Sequence, residues 1–230
     1  MQIKIPFILF ASVILSGCDN KKLEEIAAEN ESLKIQIMSL RNENEKLREQ
    51  MEGLSKLRIM AARATSQAAF SQLANGILKY KQTYGFYPDI ATSAGTYTTA
   101  SDTKHLLNGN PAYCHNLIKA VSGKQVTGAA LTQADRNRFN RNAEEFYAFT
   151  REDYFDLNVA MAGQPVLVDR FGNRNLVLIF DTNNDGLINN VKLEGLPTAL
   201  QKISTPKGIS ARVIIFTKGA ESESDVIAVQ

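Results

Sequence analysis

The chain has 230 residues, 26 of them basic and 24 acidic, for a formal net charge of +2. So even a balance, with no basic block, excludes the electrostatic footprint of a nucleic-acid-binding protein. Two cysteines are too few to frame a disulfide scaffold.

At the start, Lys4 precedes an apolar run, Ile5–Ile14, and then Leu15–Ser16–Gly17–Cys18. A positive charge, a short apolar core and small residues before a processing point make residues 1–17 an export signal. The apolar run is too short for a membrane-spanning helix, which needs about 20 residues. The Leu15–Cys18 ending resembles the lipobox of bacterial lipoproteins. That resemblance implies that Cys18 is acylated, becomes the mature N-terminus and ties the chain to membrane lipid in the cell envelope, facing the periplasm or the cell surface. Asp19 next to it resembles the inner-membrane retention signal of enterobacterial lipoproteins, which favours the inner membrane. Cys18–Gln230 is long enough for one domain with its own core plus an extension. With Cys18 lipidated, Cys114 has no intramolecular partner, and a buried thiol is expected in preference to an intermolecular bridge.

From Leu23 a heptad runs without a slip. Leu23, Asn30, Ile37, Asn44 and Met51 occupy a; Ile26, Leu33, Leu40, Leu47 and Leu54 occupy d. Leucine at d favours two strands, and a buried Asn at a finds its amide partner only in a matched register. Glu29 and Glu43 at g face Lys34 and Arg48 at the next e of a parallel partner. The pattern predicts a parallel homodimeric coiled-coil stalk over 18–56, of which Asp19 to Gly53 spans roughly 50 Å at 1.5 Å per residue.

After Leu54 the a positions become Arg58, Thr65 and Gln72, which a tight seam rejects. A second apolar stripe replaces them: Phe70, Leu73, Ile77, Tyr80 and Tyr84. These fall at b and f, opposite the seam, so the second half of the helix is expected to pack on a domain spanning 57–230. Gly53 and Gly76 weaken the helix by about 1 kcal/mol each relative to Ala, and Gly85 and Pro88 end it.

Further on, Pro111–Val121 reads as a helix stopped by Gly123. Thr132–Arg141 reads as another, opened by a near capping box with Asp135 in place of Glu. Glu145–Phe149 fits either a strand or a helix end. Strands are expected at Pro165–Val168, Leu176–Phe180, Leu187–Leu193, Arg212–Thr217 and Val226–Val229, which are rich in Val, Ile and Phe and bounded by Gly, Asn and Asp. A long helix followed by strands joined by short turns predicts an α+β fold with a small antiparallel sheet.

Three segments in order carry a resemblance. Tyr80–Lys81–Gln82–Thr83–Tyr84–Gly85–Phe86–Tyr87–Pro88 resembles the Y-K-x-x-x-G-x-Y-P end of the long helix in type IV pilins and type II secretion pseudopilins of the G-type. Asp169–Asn175 is similar to their D-P-W-G-N-P-Y segment at Asp169, Gly172 and Asn173. Ile215–Gly219 with Asp225–Ile227 is similar to their last strand and acidic loop. The resemblance implies a pilin-like head and possible secretion or pilus components as partners. G-type pseudopilins bind calcium near the C-terminus, and the matching acids here are Glu221, Glu223 and Asp225. The chain departs from the family at its start. A lipobox and a charged coiled coil stand where a pilin has a prepilin-peptidase site and an apolar helix.

Asp181–Thr182–Asn183–Asn184–Asp185–Gly186–Leu187–Ile188 has two readings. One is the start of a calcium loop, with Asp181, Asn183, Asp185 and the backbone of Leu187 as ligands and glycine at the sixth position. The twelfth position, where a bidentate carboxylate belongs, is Lys192, and Glu194 comes two residues late. The other is a hairpin turn on Asn184–Asp185–Gly186.

No phosphate-binding glycine loop, G-x-S-x-G, C-x-x-C or H-E-x-x-H occurs. His105 lies near a polar loop. Cys114 and His115 are adjacent, and neighbouring side chains on a helix diverge by about 100°. A structural or binding component without catalytic residues is expected. The alternatives are a calcium-dependent adhesion or glycan-binding lipoprotein and an atypical pseudopilin filament subunit.

Overall fold

A computed structural model describes residues 20–90, 102–107, 110–189, 196–218 and 225–230. Cys18, Lys192, Glu194, Glu221 and Glu223 lie outside them. The chain divides into two compact units, Met1–Ser55 and Lys56–Gln230. The fold is α+β: a long helix, α1 (Asn20–Tyr84), and a small antiparallel sheet. No helix among the described residues is long and apolar enough to cross a membrane.

In the first unit α1 has an apolar stripe without cover. Leu23, Ile26, Leu33, Ile37, Leu40, Leu47, Met51 and Leu54 are all exposed, from 48% at Leu33 to 70% at Met51. Ile35 and Met38, outside the heptad seam, are exposed as well. The amides of Asn30 and Asn44 turn back to donate to the carbonyls of Ile26 and Leu40, at 2.9 and 2.8 Å.

The second unit is built on a sheet in the order β1-β2-β5-β6, every pair antiparallel. Its strands are β1 (Thr103–Leu106), β2 (Leu176–Phe180), β5 (Val213–Thr217) and β6 (Val226–Val229). A separate two-stranded sheet pairs β3 (Leu187–Ile188) with β4 (Ile209–Ser210). Side chains alternate across a strand. Leu176, Leu178 and Phe180 of β2, with Val213 and Ile215 of β5, therefore join one core with Phe70, Leu73, Ile77 and Tyr80 of α1. The helix α2 (Pro111–Ser122) adds Leu117, Ile118 and Val121 to that core. Val177, Ile179, Ile214 and Phe216 point the other way, into a second core with Ile188, Ile209 and Leu200 of α5 (Thr198–Ile203). With both faces covered, β2 and β5 carry unbroken apolar runs rather than alternating ones. β1 is an edge strand with Lys104 exposed, a charge that discourages further pairing.

The expected stripe is buried: Phe70, Leu73, Ile77 and Tyr80 are core residues, and Tyr84 packs beside them. Gly76 has a reason the sequence did not disclose. A Cβ there would sit 2.8 Å from the carbonyl oxygen of Phe146, so glycine admits the 145–149 segment against the helix. That segment is neither strand nor helix. It is held by Phe146 and Tyr147 N–H groups donating to the carbonyl of Val121 at 2.8 and 2.9 Å.

Several expectations need correction. Pro165–Val168 is not a strand: Leu167 makes a single bridge with Tyr154, because Pro165 has no N–H to extend a ladder and the chain turns at Asp169. The strand expected over Leu187–Leu193 is β3, Leu187–Ile188; Asn189 is not in a strand, and 190–193 lie outside the described residues. Asn184–Asp185–Gly186 does not close a hairpin between β2 and β3. β2 pairs with β1 and β5, and the turn carries the chain to a different sheet. The helix expected over Thr132–Arg141 is shorter, α3 (Gln133–Arg138). Thr132 caps it by accepting from Asp135 N–H at 3.1 Å. The Asp135 carboxylate does not complete the box. It takes Lys119 at 2.7 Å and Gln125 and Thr132 at 2.8 Å each. Burial raises the Asp135 pKa, and these three donors outweigh burial and hold it below the ordinary value. The short helix α4 (Leu157–Met161), α5, β1 and β4 have no counterpart in the sequence reading.

Candidate cation-binding loop

Asp181 follows β2 directly, and the loop after it is shaped by its own side chains. Asp181 Oδ2 accepts from Gly186 N–H at 3.0 Å, Asn183 Oδ1 from Asp185 N–H at 3.1 Å, and Asp185 Oδ1 from Leu187 N–H at 2.8 Å. Asn184 and Gly186 take positive φ, 63° and 81°, a region that Asn tolerates and Gly enters freely. The amides of Asn183 and Asn189 donate to Asp185 Oδ2 at 2.9 and 3.3 Å. The structure thus brings the oxygen-bearing side chains of Asp181, Asn183 and Asp185 into one turn, with Leu187 at its exit.

Two residues far away in sequence join them. Thr103 of β1 pairs with Phe180 of β2, so antiparallel register carries the preceding residue, Asp102, toward Asp181. Asp102 Oδ1 accepts from Thr182 N–H at 3.1 Å and its Oδ2 from Asn189 N–H at 2.6 Å. Burial, then the charges of Asp181 and Asp185, raise the Asp102 pKa against the pull of those two N–H bonds. Lys81 donates to Asn184 Oδ1 and lies 4.1 Å from the centre of the Tyr87 ring. Burial lowers the Lys81 pKa, and the nearby Asp181 charge opposes that.

One atom of this loop stands apart. Asp181 is buried, and its Oδ1 has no hydrogen-bond partner among the described residues. Among the described residues no three His, Cys, Asp or Glu side chains form a ready-made metal cage.

The other residues singled out in the sequence are dispersed. Cys114 lies in the core with its thiol toward the Leu107 carbonyl at 3.7 Å, and burial pushes its pKa up to about 11. His115, next to it on α2, contacts the Gly163 carbonyl at 2.9 Å instead of the thiol. His105 is not at a polar loop. It is buried on β1 beside the Phe180 ring, 5.5 Å between centroids, because its position in the strand faces the core.

The motif residues are structural ties. Asp169 Oδ1 accepts from Phe171 and Asn173 N–H, at 2.8 and 3.0 Å, and its Oδ2 takes Asn173 Nδ2 and the Thr217 hydroxyl of β5. The Tyr87 hydroxyl donates to the Arg212 carbonyl at 3.0 Å, and that of Tyr84 to Asn140 Oδ1 at 2.7 Å. No family model, no curated protein and no solved structure matches this chain.

Proposed function

We propose that the chain is a lipid-anchored protein of the cell envelope, paired as a parallel dimer through residues 23–54. Each copy presents a pilin-like head as a structural or binding part of a secretion- or pilus-type assembly. The observation that carries this reading is the uncovered stripe of α1: ten heptad positions in register, with the eight apolar ones exposed. Burying apolar area is worth about 25 cal/mol per Å², so a second copy of the same helix is the natural cover. In such a pair Asn30 and Asn44 would exchange their bonds to their own backbone for bonds across the seam, which fixes register and a parallel sense.

The pilin-like reading of the head rests on the three sequence segments in order, two of which are tied to the ends of β5. The Tyr80–Pro88 segment reaches the start of β5 through Tyr87 and Arg212. The Asp169–Asn175 turn reaches the end of β5 through Thr217. The acidic loop around Asp181 favours one second reading, a calcium-dependent adhesion or glycan-binding lipoprotein.

The anchor is tested at Cys18. Mass spectrometry of membrane-extracted protein is expected to find no residue before Cys18 and to find lipid on it. Cys18→Ala is expected to leave the signal uncleaved or release the protein from lipid attachment. An intact Met1 on wild-type protein still held in the membrane contradicts the proposal.

A further inference from the structure

We infer that the Asp181–Leu187 loop is a calcium site whose last carboxylate comes from Asp102, ahead of β1, and not from the residues that follow the loop. This goes beyond the envelope reading and does not depend on it. The observation that points to a ligand is the Asp181 carboxylate. The residue is 1% exposed, one oxygen is held by Gly186 N–H, and the other is buried without a partner among the described residues. Its sister oxygen, on the same carboxyl carbon, is bonded inside the turn, so the free oxygen lies beside the loop. The Lys81 ammonium feels the Asp181 charge, but its hydrogen bond is to Asn184 Oδ1 and it lies over the Tyr87 ring.

The oxygens available suit a hard cation that accepts mixed donors. They are Asp181 Oδ1, Asn183 Oδ1, one oxygen of Asp185, the Leu187 carbonyl and one oxygen of Asp102. Five protein oxygens with water fall within the six to eight that calcium takes, whereas magnesium demands a smaller and stricter octahedron. Except for the free oxygen, the side-chain ligands already accept hydrogen bonds. A carboxylate or amide oxygen has two lone pairs, so such a bond orients the oxygen without consuming it. Asp102 is fastened to both ends of the loop, through Thr182 and Asn189. This brings a carboxylate to the loop from outside it, where the continuous twelfth position is Lys192.

The test is isothermal titration of the purified, chelator-treated full-length chain with calcium chloride, with the thermal midpoint as a second readout. The expected dissociation constant is on the order of 10⁻⁴ to 10⁻³ M, with a midpoint that rises with calcium. Asp181→Asn and Asp102→Asn are each expected to weaken binding roughly tenfold or more. Asn183→Ala, at an exposed position outside the core, is expected to weaken it too. Glu194→Gln is expected to leave it unchanged. Wild-type protein that shows neither heat nor a midpoint change up to about 10 mM calcium, above the weakest class of protein site, overturns the proposal. Binding that survives Asp102→Asn and is lost in Glu194→Gln overturns the part assigned to Asp102.

Discussion

Acidification from pH 7 to about 4 is expected to remove roughly 3 kcal/mol of stability from the head through His105 alone. Burial lowers the pKa of this imidazole from 6.5 to about 4, and the Asp89 charge only partly opposes it. Above pH 6.5 the ring is neutral in both folded and unfolded chains, and its contribution is fully present. Between 6.5 and 4 the unfolded chain binds a proton that the folded chain refuses, so stability falls as pH falls. The cause is visible in the packing: His105 lies against Phe180, and its Nε2 is buried with no hydrogen-bond partner among the described residues. Urea unfolding at pH 7 and pH 4.5 on wild type and His105→Phe isolates this term from the carboxylates. The variant is expected to lose much less stability over that interval. An identical loss in both proteins removes His105 as the cause.

Leu73→Ala is expected to cost the head about 2–5 kcal/mol, the range for truncating a buried leucine that leaves a cavity. Leu73 is 4% exposed and belongs to the core shared by α1, α2 and the sheet. Because Leu73 falls at a b position, the substitution is expected to leave pairing through Leu23–Leu54 untouched. Chemical denaturation measures the first effect, and light scattering under native conditions the second. Loss of the dimer with the head still folded would mean that the seam continues through Leu73 and that the helix does not change face.

What could be read in the sequence follows from how locally each feature is encoded. The two stripes of α1 are periodic over many turns, so the long helix and the burial of Phe70, Leu73, Ile77 and Tyr80 were legible. The unbroken runs Leu176–Phe180 and Val213–Thr217 were legible as strands because both of their faces are covered. β1 was not. Thr103–Leu106 is half polar, and it becomes a strand only because β2 offers it an edge. Pro165–Val168 has strand composition but forms only one bridge, Leu167 with Tyr154. The turn at Asn184–Gly186 has hairpin chemistry, yet the apolar cover over Ile188 and Ile209 draws β3 onto β4. The same division holds at the candidate site. Asp181, Asn183 and Asp185 are contiguous and carry a recognisable spacing. Asp102 and Lys81 are brought there by sheet register and by the end of α1, and nothing beside them in sequence marks them.

The central claim is the parallel pairing of α1, and cysteine capture at a d position tests it most directly. The soluble chain from Asn20 with Ile26→Cys contains one accessible thiol, since Cys114 is buried. A parallel register places the two copies of residue 26 face to face, within reach of the disulfide geometry that needs Cα atoms roughly 4.4–6.8 Å apart. Mild oxidation at tens of micromolar, about the concentration at which a micromolar zipper is paired, is expected to convert nearly all of the chain to a covalent dimer. A chain that stays monomeric on a non-reducing gel and by light scattering would contradict the account. A non-covalent dimer that does not cross-link would contradict its parallel sense.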